Sequence, residues 1–116
     1  MLFIEYPKCT TCKKAKKFLI DNNISFQERD IKNDNPTEEE IKMYLTKTKK
    51  DINKLFNTSG IKYRELDLKS RLPNMTENEK IKLLASDGML IKRPILVSKN
   101  ETFFGFKEEE WKKILK

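Results

Sequence analysis

The two cysteines of this chain are Cys9 and Cys12, and the sequence contains no histidine. A C-x-x-C pair at the beginning of a helix is typical of a redox dithiol, because the free N–H groups of the first helical turn stabilise a thiolate. The second cysteine then lies one turn along the helix, where its sulfur can attack a mixed disulfide formed on the first. The spacing therefore indicates Cys9 as a nucleophile and Cys12 as a resolving thiol.

The residues around the pair have types that suit a thiol, disulfide or anionic substrate. Lys8 and Lys13 add positive charge at the start of the helix, and positive charge lowers the pKa of a nearby thiol. We predict that these two lysines contact the substrate together with Thr10 and Thr11, which lie between the cysteines.

Two other interpretations of the cysteines are open. A structural zinc site takes about four ligands, commonly a second C-x-x-C or a histidine pair, and this sequence offers neither. We therefore predict that the chain binds no metal. Free cysteines are also often buried as small hydrophobic side chains, so packing of the pair without any chemical role stays an alternative.

The chain is basic, with 25 Lys and Arg residues against 18 Asp and Glu and a formal net charge of +7. The lysines are spread over every segment, which favours a solvated surface over a nucleic-acid interface. The N-terminal segment has neither a basic leader nor an apolar run long enough for a signal peptide or a membrane span. The sequence therefore predicts a cytosolic protein that binds neither nucleic acid nor membrane. Cytosolic thiols are kept reduced, so a local cysteine pair is more often catalytic or redox-sensing than structural.

The elements around the cysteines form a βαβ unit. The β-prone segment 2–6 ends at a proline, and apolar positions from Cys12 to Leu19 recur at helical spacing until a polar run ends the pattern. Segment 24–31 predicts a second strand, parallel to the first. This arrangement places Cys9 at the junction of the loop and the first helix.

Helices fill the middle of the sequence. Asn35 is predicted to cap a helix that has Pro36 at its first position. Thr76 and Glu79 form a capping box that predicts another helix over 76–86. Shorter helical segments are predicted at 51–56 and 63–69.

The last third of the sequence predicts a β-hairpin at 93–98 and 102–106, followed by a helix. Pro94 cannot donate a hydrogen bond to a sheet, so it belongs at an edge or a strand start, where its peptide bond can be cis. In an order β-α-β, helices, β-β-α, the start of the third strand lies beside the N-terminus of the first helix. We therefore expect Arg93 and Pro94 to face Cys9.

These motifs, in this order, resemble the glutaredoxin-coupled arsenate reductase and Spx regulator family of thioredoxin-like proteins over essentially the whole chain. The segments that carry the resemblance are YPKCTTCKKAKKFL, KLFNTSGIKYREL, LLASDGMLIKRPILV and GFKEEEW. The resemblance implies an α/β fold of thioredoxin-like, glutaredoxin type, with a mixed four-stranded sheet. It further implies one domain over 1–116, an inserted helical block over about 36–88 and a cis Arg93–Pro94 bond beside Cys9.

The resemblance also implies residue roles. Cys9 matches the nucleophile of the reductases and Arg93 matches the arginine that precedes their proline. Asn57 and Phe106 stand where those reductases carry two further arginines that hold the oxyanion, so we expect weak or absent arsenate reduction. The expected function is therefore thiol-disulfide exchange through Cys9 and Cys12, with Asn57 and Pro94 among the substrate contacts.

The partners follow from the same resemblance. We expect a small thiol or disulfide substrate, no bound cofactor, a monomer, and glutathione, a glutaredoxin or thioredoxin as reductant. The alternative is an Spx-like redox-sensing regulator that binds the α subunit of RNA polymerase, since those regulators carry a similar cysteine pair. The regulators continue beyond the last helix, whereas this chain ends at Lys116, and their glycine in the helical block has no clear counterpart in KTKKDINKL. We expect the enzyme rather than the regulator.

Overall fold

A mixed sheet of four strands lies at the centre of the computed structural model, which describes residues 1–115. The strands are β1 (Leu2–Glu5), β2 (Gln27–Asp30), β3 (Ile95–Val97) and β4 (Thr102–Phe104). They lie in the order β2-β1-β3-β4, with β1 parallel to β2 and antiparallel to β3, and β3 antiparallel to β4. The predicted α/β fold with a mixed four-stranded sheet is confirmed.

Helices cover both faces of the sheet. Within the described residues the α-helices are α1 (Thr10–Asp21), α2 (Glu38–Lys47), α3 (Ile61–Glu65), α4 (Leu68–Arg71), α5 (Glu77–Ser86) and α6 (Glu108–Trp111). Shorter 3-10 helices are found at Ile52–Leu55, Leu72–Asn74, Gly88–Leu90 and Lys112–Leu115. Helices α2 to α5 lie between β2 and β3 in the chain and are called the helical block below. No helix of residues 1–115 is long and apolar enough to cross a membrane.

The sheet separates two apolar clusters. Phe3 packs with α1 and Trp111 on one face, whereas its neighbour Ile4 packs with the helical block on the other. This division follows from the alternation of side chains along a strand. α1 closes the first cluster because its apolar positions recur at helical spacing, and its buried residues are Cys12, Ala15, Phe18 and Leu19.

Several predicted boundaries are wrong by a few residues: the strands predicted at 93–98 and 102–106 are Ile95–Val97 and Thr102–Phe104, and the helix predicted at 63–69 is divided between α3 and α4. α2 is capped by Thr37 rather than Asn35: the Thr37 hydroxyl accepts from the Glu40 N–H at 3.2 Å, and the Glu40 carboxylate accepts from the Thr37 N–H at 2.9 Å. The Asn35 amide instead donates to the carbonyl of Ala85 at the end of α5. The second strand is only Gln27–Asp30, because Phe26 and the residues before it pack on the α1 cluster.

Glu40 also joins α2 to β2 through a partly buried ion pair, which gives a first prediction. Both oxygens of its carboxylate accept from Arg29, at 2.6 and 2.8 Å, and the Arg29 guanidinium holds the pKa of Glu40 down at about 2. The side chains are 14% and 28% exposed, so water screens the pair only partly. Glu40→Gln is expected to lower the free energy of unfolding at pH 7 by about 2 kcal/mol, measured by urea denaturation.

The pH dependence of this loss identifies its cause. A carboxyl whose pKa is lowered by folding stabilises the protein above the unfolded pKa, and this contribution disappears as the pH falls from about 4.5 towards 2. The difference between Glu40→Gln and the natural protein should therefore shrink over that window. Glu79→Gln is the matched control, because Glu79 makes the same capping box on α5 and, within the described residues, no ion pair to arginine. Equal losses for the two variants would contradict the prediction.

Candidate functional site

Cys9 is the N-cap residue of α1, with the extended backbone of a residue that precedes a helix. Its thiol is half-buried, and Cys12 lies fully buried one turn further along. Burial alone would raise the pKa of Cys9, but the backbone N–H and thiol of Cys12 and the positive guanidinium of Arg93 favour the thiolate. These groups outweigh burial and lower the pKa of the Cys9 thiol. Cys9 is therefore the more acidic thiol of the pair.

Cys12 has the opposite character. Burial raises its pKa to about 12, and the hydrogen bond and negative charge of Cys9 act in the same direction. One thiol is thus activated at the surface while its neighbour stays protonated behind it. This asymmetry is what the C-x-x-C spacing predicts for a nucleophile and a resolving thiol.

Arg93 lies beside Cys9, where the strand order predicts it, and the Arg93–Pro94 peptide bond is cis, as the resemblance implies. The guanidinium carbon stands 5.2 Å from the centre of the Tyr6 ring. Its Nε and Nη1 atoms are buried, and no hydrogen-bond partner for either lies within residues 1–115. A buried guanidinium with free donors is a strong candidate for holding an anion.

A cavity of about 330 Å³ opens next to Cys9. Four of the side chains that line it are cationic, namely Lys50, Lys92, Arg93 and Lys107, and no lining residue among those described is acidic. Its remaining lining residues are Thr11, Asn57, Ser59, Phe104, Gly105 and Phe106. The cavity therefore favours a ligand that carries negative charge.

The predicted substrate contacts divide into two groups. Thr11 and Asn57 line the cavity with Cys9 and Arg93. Lys8, Thr10 and Lys13 are exposed and are not among its lining residues, and Pro94 is buried, its carbonyl accepting from the Gly105 N–H at 2.8 Å. The positive charge around the cavity therefore comes from other lysines.

The sequence interpretation missed Lys50, Lys92 and Lys107. Lys50 donates to the carbonyl of Phe104 at 3.1 Å, and burial lowers its pKa, with Lys92 and Lys107 lowering it further. Lys92 and Lys107 adjoin residues already singled out, so their positions carried a signal. Lys50 lies in a loop far from both cysteines in the chain, and no local pattern pointed to it.

Gly105 shapes the wall of the cavity. Its φ of +80° is a left-handed conformation that glycine adopts freely. A Cβ at this position would also stand 2.7 Å from Cε of Lys92. The indole N–H of Trp111 donates to the Gly105 carbonyl at 3.2 Å and ties this turn to the last helix. A glycine here therefore keeps Lys92 in its place against the cavity wall.

The reactive groups of the site are two thiols and several cations. Among residues 1–115, no three Cys, Asp or Glu side chains converge closely enough to hold a metal ion. What the arrangement can do chemically is attack with a thiolate, hold negative charge, and accept a second attack from Cys12.

A helix that begins at the first cysteine of a C-x-x-C pair, beside a cis-proline on a four-stranded mixed sheet, is the arrangement of a thioredoxin-like protein. The model of the ArsC family matches residues 4–114, and the chain belongs to this family. The resemblance found in the sequence is confirmed.

The chain is similar over nearly its whole length to several known proteins. The chain is 48% identical to Uncharacterized protein YusI of Bacillus subtilis, over 96% of this chain and 94% of that protein. It is 34% identical to Regulatory protein MgsR of the same organism, over 100% of this chain and 90% of the regulator. A crystal structure of an ArsC family related protein from Bacteroides fragilis superposes with a TM-score of 0.96 at 53% identity, covering 99% of this chain and 96% of that one.

Proposed function

We propose that the protein is a cytosolic thiol-disulfide oxidoreductase in which Cys9 is the nucleophile and Cys12 the resolving thiol. The observation that carries the proposal is the pairing of an acidic, half-exposed Cys9 thiol with a buried Cys12 thiol one turn away. The packing alternative gives no reason for a lowered pKa on one member of the pair.

The reaction consists of two exchanges. The Cys9 thiolate attacks one sulfur of the substrate disulfide, a new S–S bond forms, and the other sulfur leaves with the electron pair as a thiolate. Cys12 then attacks Cys9, releases the bound thiol and closes the Cys9–Cys12 disulfide. Arg93 stabilises the negative charge near Cys9. Glutathione, a glutaredoxin or thioredoxin returns the pair to the dithiol, and the protein acts as a monomer without a bound cofactor.

The substrate is a small disulfide or mixed disulfide that carries negative charge, because the cavity beside Cys9 is lined by four cations. Turnover of a model glutathione mixed disulfide, with glutathione or a thioredoxin system as the reductant, tests the proposed function directly. Arsenate is assayed in parallel with the same reductant. Absence of turnover with every reductant would contradict the oxidoreductase assignment.

The charge of the cavity predicts a preference among disulfides. Each rate constant is first divided by the rate constant of the same disulfide with a small free thiol. After this correction, the natural protein should react faster with the dianionic 5,5′-dithiobis(2-nitrobenzoate) than with neutral 2,2′-dithiodipyridine. Lys92→Gln with Lys107→Gln should reduce this preference about tenfold, since each lost charge removes about 0.5 to 1 kcal/mol of attraction. Stopped-flow absorbance measures both reactions.

A matched pair of lysines controls for net charge. Lys8→Gln with Lys13→Gln also removes two charges, but from residues that are not among those lining the cavity. This double variant should keep most of the preference. If both double variants lose the preference equally, the attraction comes from the overall charge of the protein and not from the cavity.

A second candidate function is a redox-responsive regulator. It is favoured by the relation to MgsR and by an exposed apolar surface at the site: Ile61 is 67% exposed and lines a groove with Met89 that reaches Arg93. In this function, closure of the Cys9–Cys12 disulfide changes the affinity for the RNA polymerase α subunit. A pulldown with that subunit, run with oxidised and reduced protein, separates the candidates, and no binding in either state removes the regulator.

A further inference from the structure

The groove that Ile61 and Met89 line, called the apolar groove here, adjoins the cavity that holds Cys9. It has a volume of about 480 Å³. Three residues line both the groove and the cavity, namely Asn57, Ser59 and Arg93. The two exchange steps proposed above take place in the cavity and assign nothing to the groove.

The surface of the apolar groove is mostly apolar and is open to solvent. Ile61, the first residue of α3, is 67% exposed, more than any other large apolar side chain among the described residues. Single exposed apolar residues are common on protein surfaces. Ile61, however, lies with Met89 on a concave surface next to a reactive thiol, and ligand sites typically combine apolar walls with a few polar groups. The groove is therefore suited to an apolar group of a ligand.

Backbone pairing holds the two walls of the groove together. The Lys92 N–H donates to the Leu55 carbonyl at 2.7 Å, and the Asn57 N–H donates to the Leu90 carbonyl at 2.8 Å. This antiparallel bridge joins the segment shortly before α3 to the segment that leads into Arg93. The groove therefore exists before a ligand binds, and a preformed site lowers the entropic cost of binding.

Charge and apolar surface thus lie side by side at Cys9. The cavity has four cations in its wall, the groove adds Ile61 and Met89, and no described residue that lines either of them is acidic. A ligand with its sulfur at Cys9 and its carboxylate among the cations can extend an apolar group past Arg93 into the groove. Charge complementarity and the shared wall therefore favour one ligand that occupies both.

We propose that the apolar groove binds an apolar group of the substrate, so that the substrate is an acidic disulfide with an apolar side chain, of the class of N-acylated cysteine mixed disulfides. The proposal rests on the oxidoreductase function proposed above and adds a specificity to it. The carboxylate contacts the cations of the cavity, and the apolar group packs against Ile61 and Met89.

Two matched disulfides test this specificity. The 2-pyridyl disulfides of N-acetylcysteine and N-hexanoylcysteine have the same reacting sulfurs and the same carboxylate, and they differ only in the length of the acyl chain. The Cys9 thiolate attacks the cysteine sulfur, a new S–S bond joins the acylcysteine to Cys9, and the pyridine sulfur leaves with the electron pair as 2-thiopyridone. Stopped-flow absorbance of 2-thiopyridone measures this step, and the later attack by Cys12 releases no chromophore.

The longer chain is expected to react faster with the natural protein. Each rate constant is first divided by that of the same disulfide with a small free thiol. The hexanoyl compound should then react about tenfold faster than the acetyl compound, a difference of about 1.4 kcal/mol that corresponds to burial of roughly two CH₂ groups.

Variants of exposed isoleucines locate the apolar group. Ile61→Ala should lower the preference to about twofold, since it removes most of the side chain that the acyl chain contacts. Ile61→Leu keeps an apolar side chain and should keep most of the preference. Both variants should react with the acetyl compound at the natural rate, which also shows that they fold. Ile20→Ala is the matched control, because Ile20 is 56% exposed on α1 and lines neither the cavity nor the groove.

The outcomes separate this proposal from the function on which it rests. The proposal is overturned if Ile61→Ala keeps the full preference, or if Phe106→Leu loses it while Ile61→Ala does not. Equal and fast reaction of both disulfides with the natural protein contradicts this proposal alone and favours a partner protein as the occupant of the groove. If neither disulfide reacts faster with the protein than with the free thiol, the oxidoreductase function fails as well.

Discussion

Replacing Cys9 with serine is expected to abolish disulfide exchange, lowering the rate at least about a thousandfold, because a hydroxyl at neutral pH supplies almost no nucleophile. Cys12 does not replace it, since its buried thiol has a pKa of about 12 and lies behind Cys9. Turnover of a glutathione mixed disulfide measures the loss. The fold should survive, because the exchange replaces one small half-buried atom.

Cys12→Ser is the matched control for this prediction. It keeps the nucleophile but removes the resolving thiol, so the first exchange should persist while the mixed disulfide on Cys9 accumulates and is visible by mass spectrometry. Full turnover by Cys9→Ser, or the absence of an accumulated mixed disulfide in Cys12→Ser, would contradict the assigned roles.

Arsenate reduction by the natural protein is expected to be weak or absent, and two arginines should improve it by about two orders of magnitude. Asn57→Arg with Lys107→Arg places guanidinium groups at two positions of the cavity wall. Charge-assisted hydrogen bonds to an oxyanion contribute about 1.5 to 3 kcal/mol each, and about 1.4 kcal/mol is a factor of ten. The ratio of kcat/KM for arsenate between variant and natural protein measures the gain.

The structure favours Lys107 over Phe106 as the second position for an arginine. The family resemblance points to Phe106, but the Phe106 ring lies 4.9 Å from that of Trp111 and 5.7 Å from that of Phe18, so an arginine there would remove core packing. Lys107, next to it, already lines the cavity. Asn53→Arg with Lys13→Arg is the control, because both positions are exposed and neither is among the lining residues. Efficient arsenate reduction by the natural protein would mean that its lysines suffice to hold the oxyanion.

The parts of the site that the sequence predicted depend on local patterns. Cys9 at a helix start and the Thr76–Glu79 capping box are each set by residues within one helical turn, and the structure has both. The position of Arg93 beside Cys9 could be predicted only with the order of the strands in the sheet. This order could be inferred because a βαβ unit followed by a hairpin leaves few ways to arrange the strands.

The parts that could not be predicted depend on contacts between distant segments. Asn35 and Thr37 are both residue types that cap helices well. The structure uses Thr37, whose capping partner Glu40 is held in position by Arg29 of β2, and the sequence does not show this contact. Lys50 reaches the cavity only because its loop packs against β4, which lies 54 residues further along the chain.

The burial of Glu5 had only a weak signal in the sequence. The alternation of β1 places Glu5 on the same face as the buried Phe3, so its burial could be inferred. An acidic residue at the end of a short strand is usually solvated, however, and only the packing of α1 over β1 distinguishes the two outcomes.

The pH dependence of alkylation of the two cysteines tests the central claim most directly, because the claim requires an activated thiol beside a protonated one. Reduced protein is treated briefly with iodoacetamide across a pH series, and the label on each cysteine is counted by mass spectrometry after digestion. The account predicts that Cys9 is labelled with a midpoint below the value of about 8.5 for an unperturbed thiol, while Cys12 stays unlabelled through that range. A midpoint for Cys9 at or above about 8.5, or equal labelling of both cysteines at neutral pH, would contradict it.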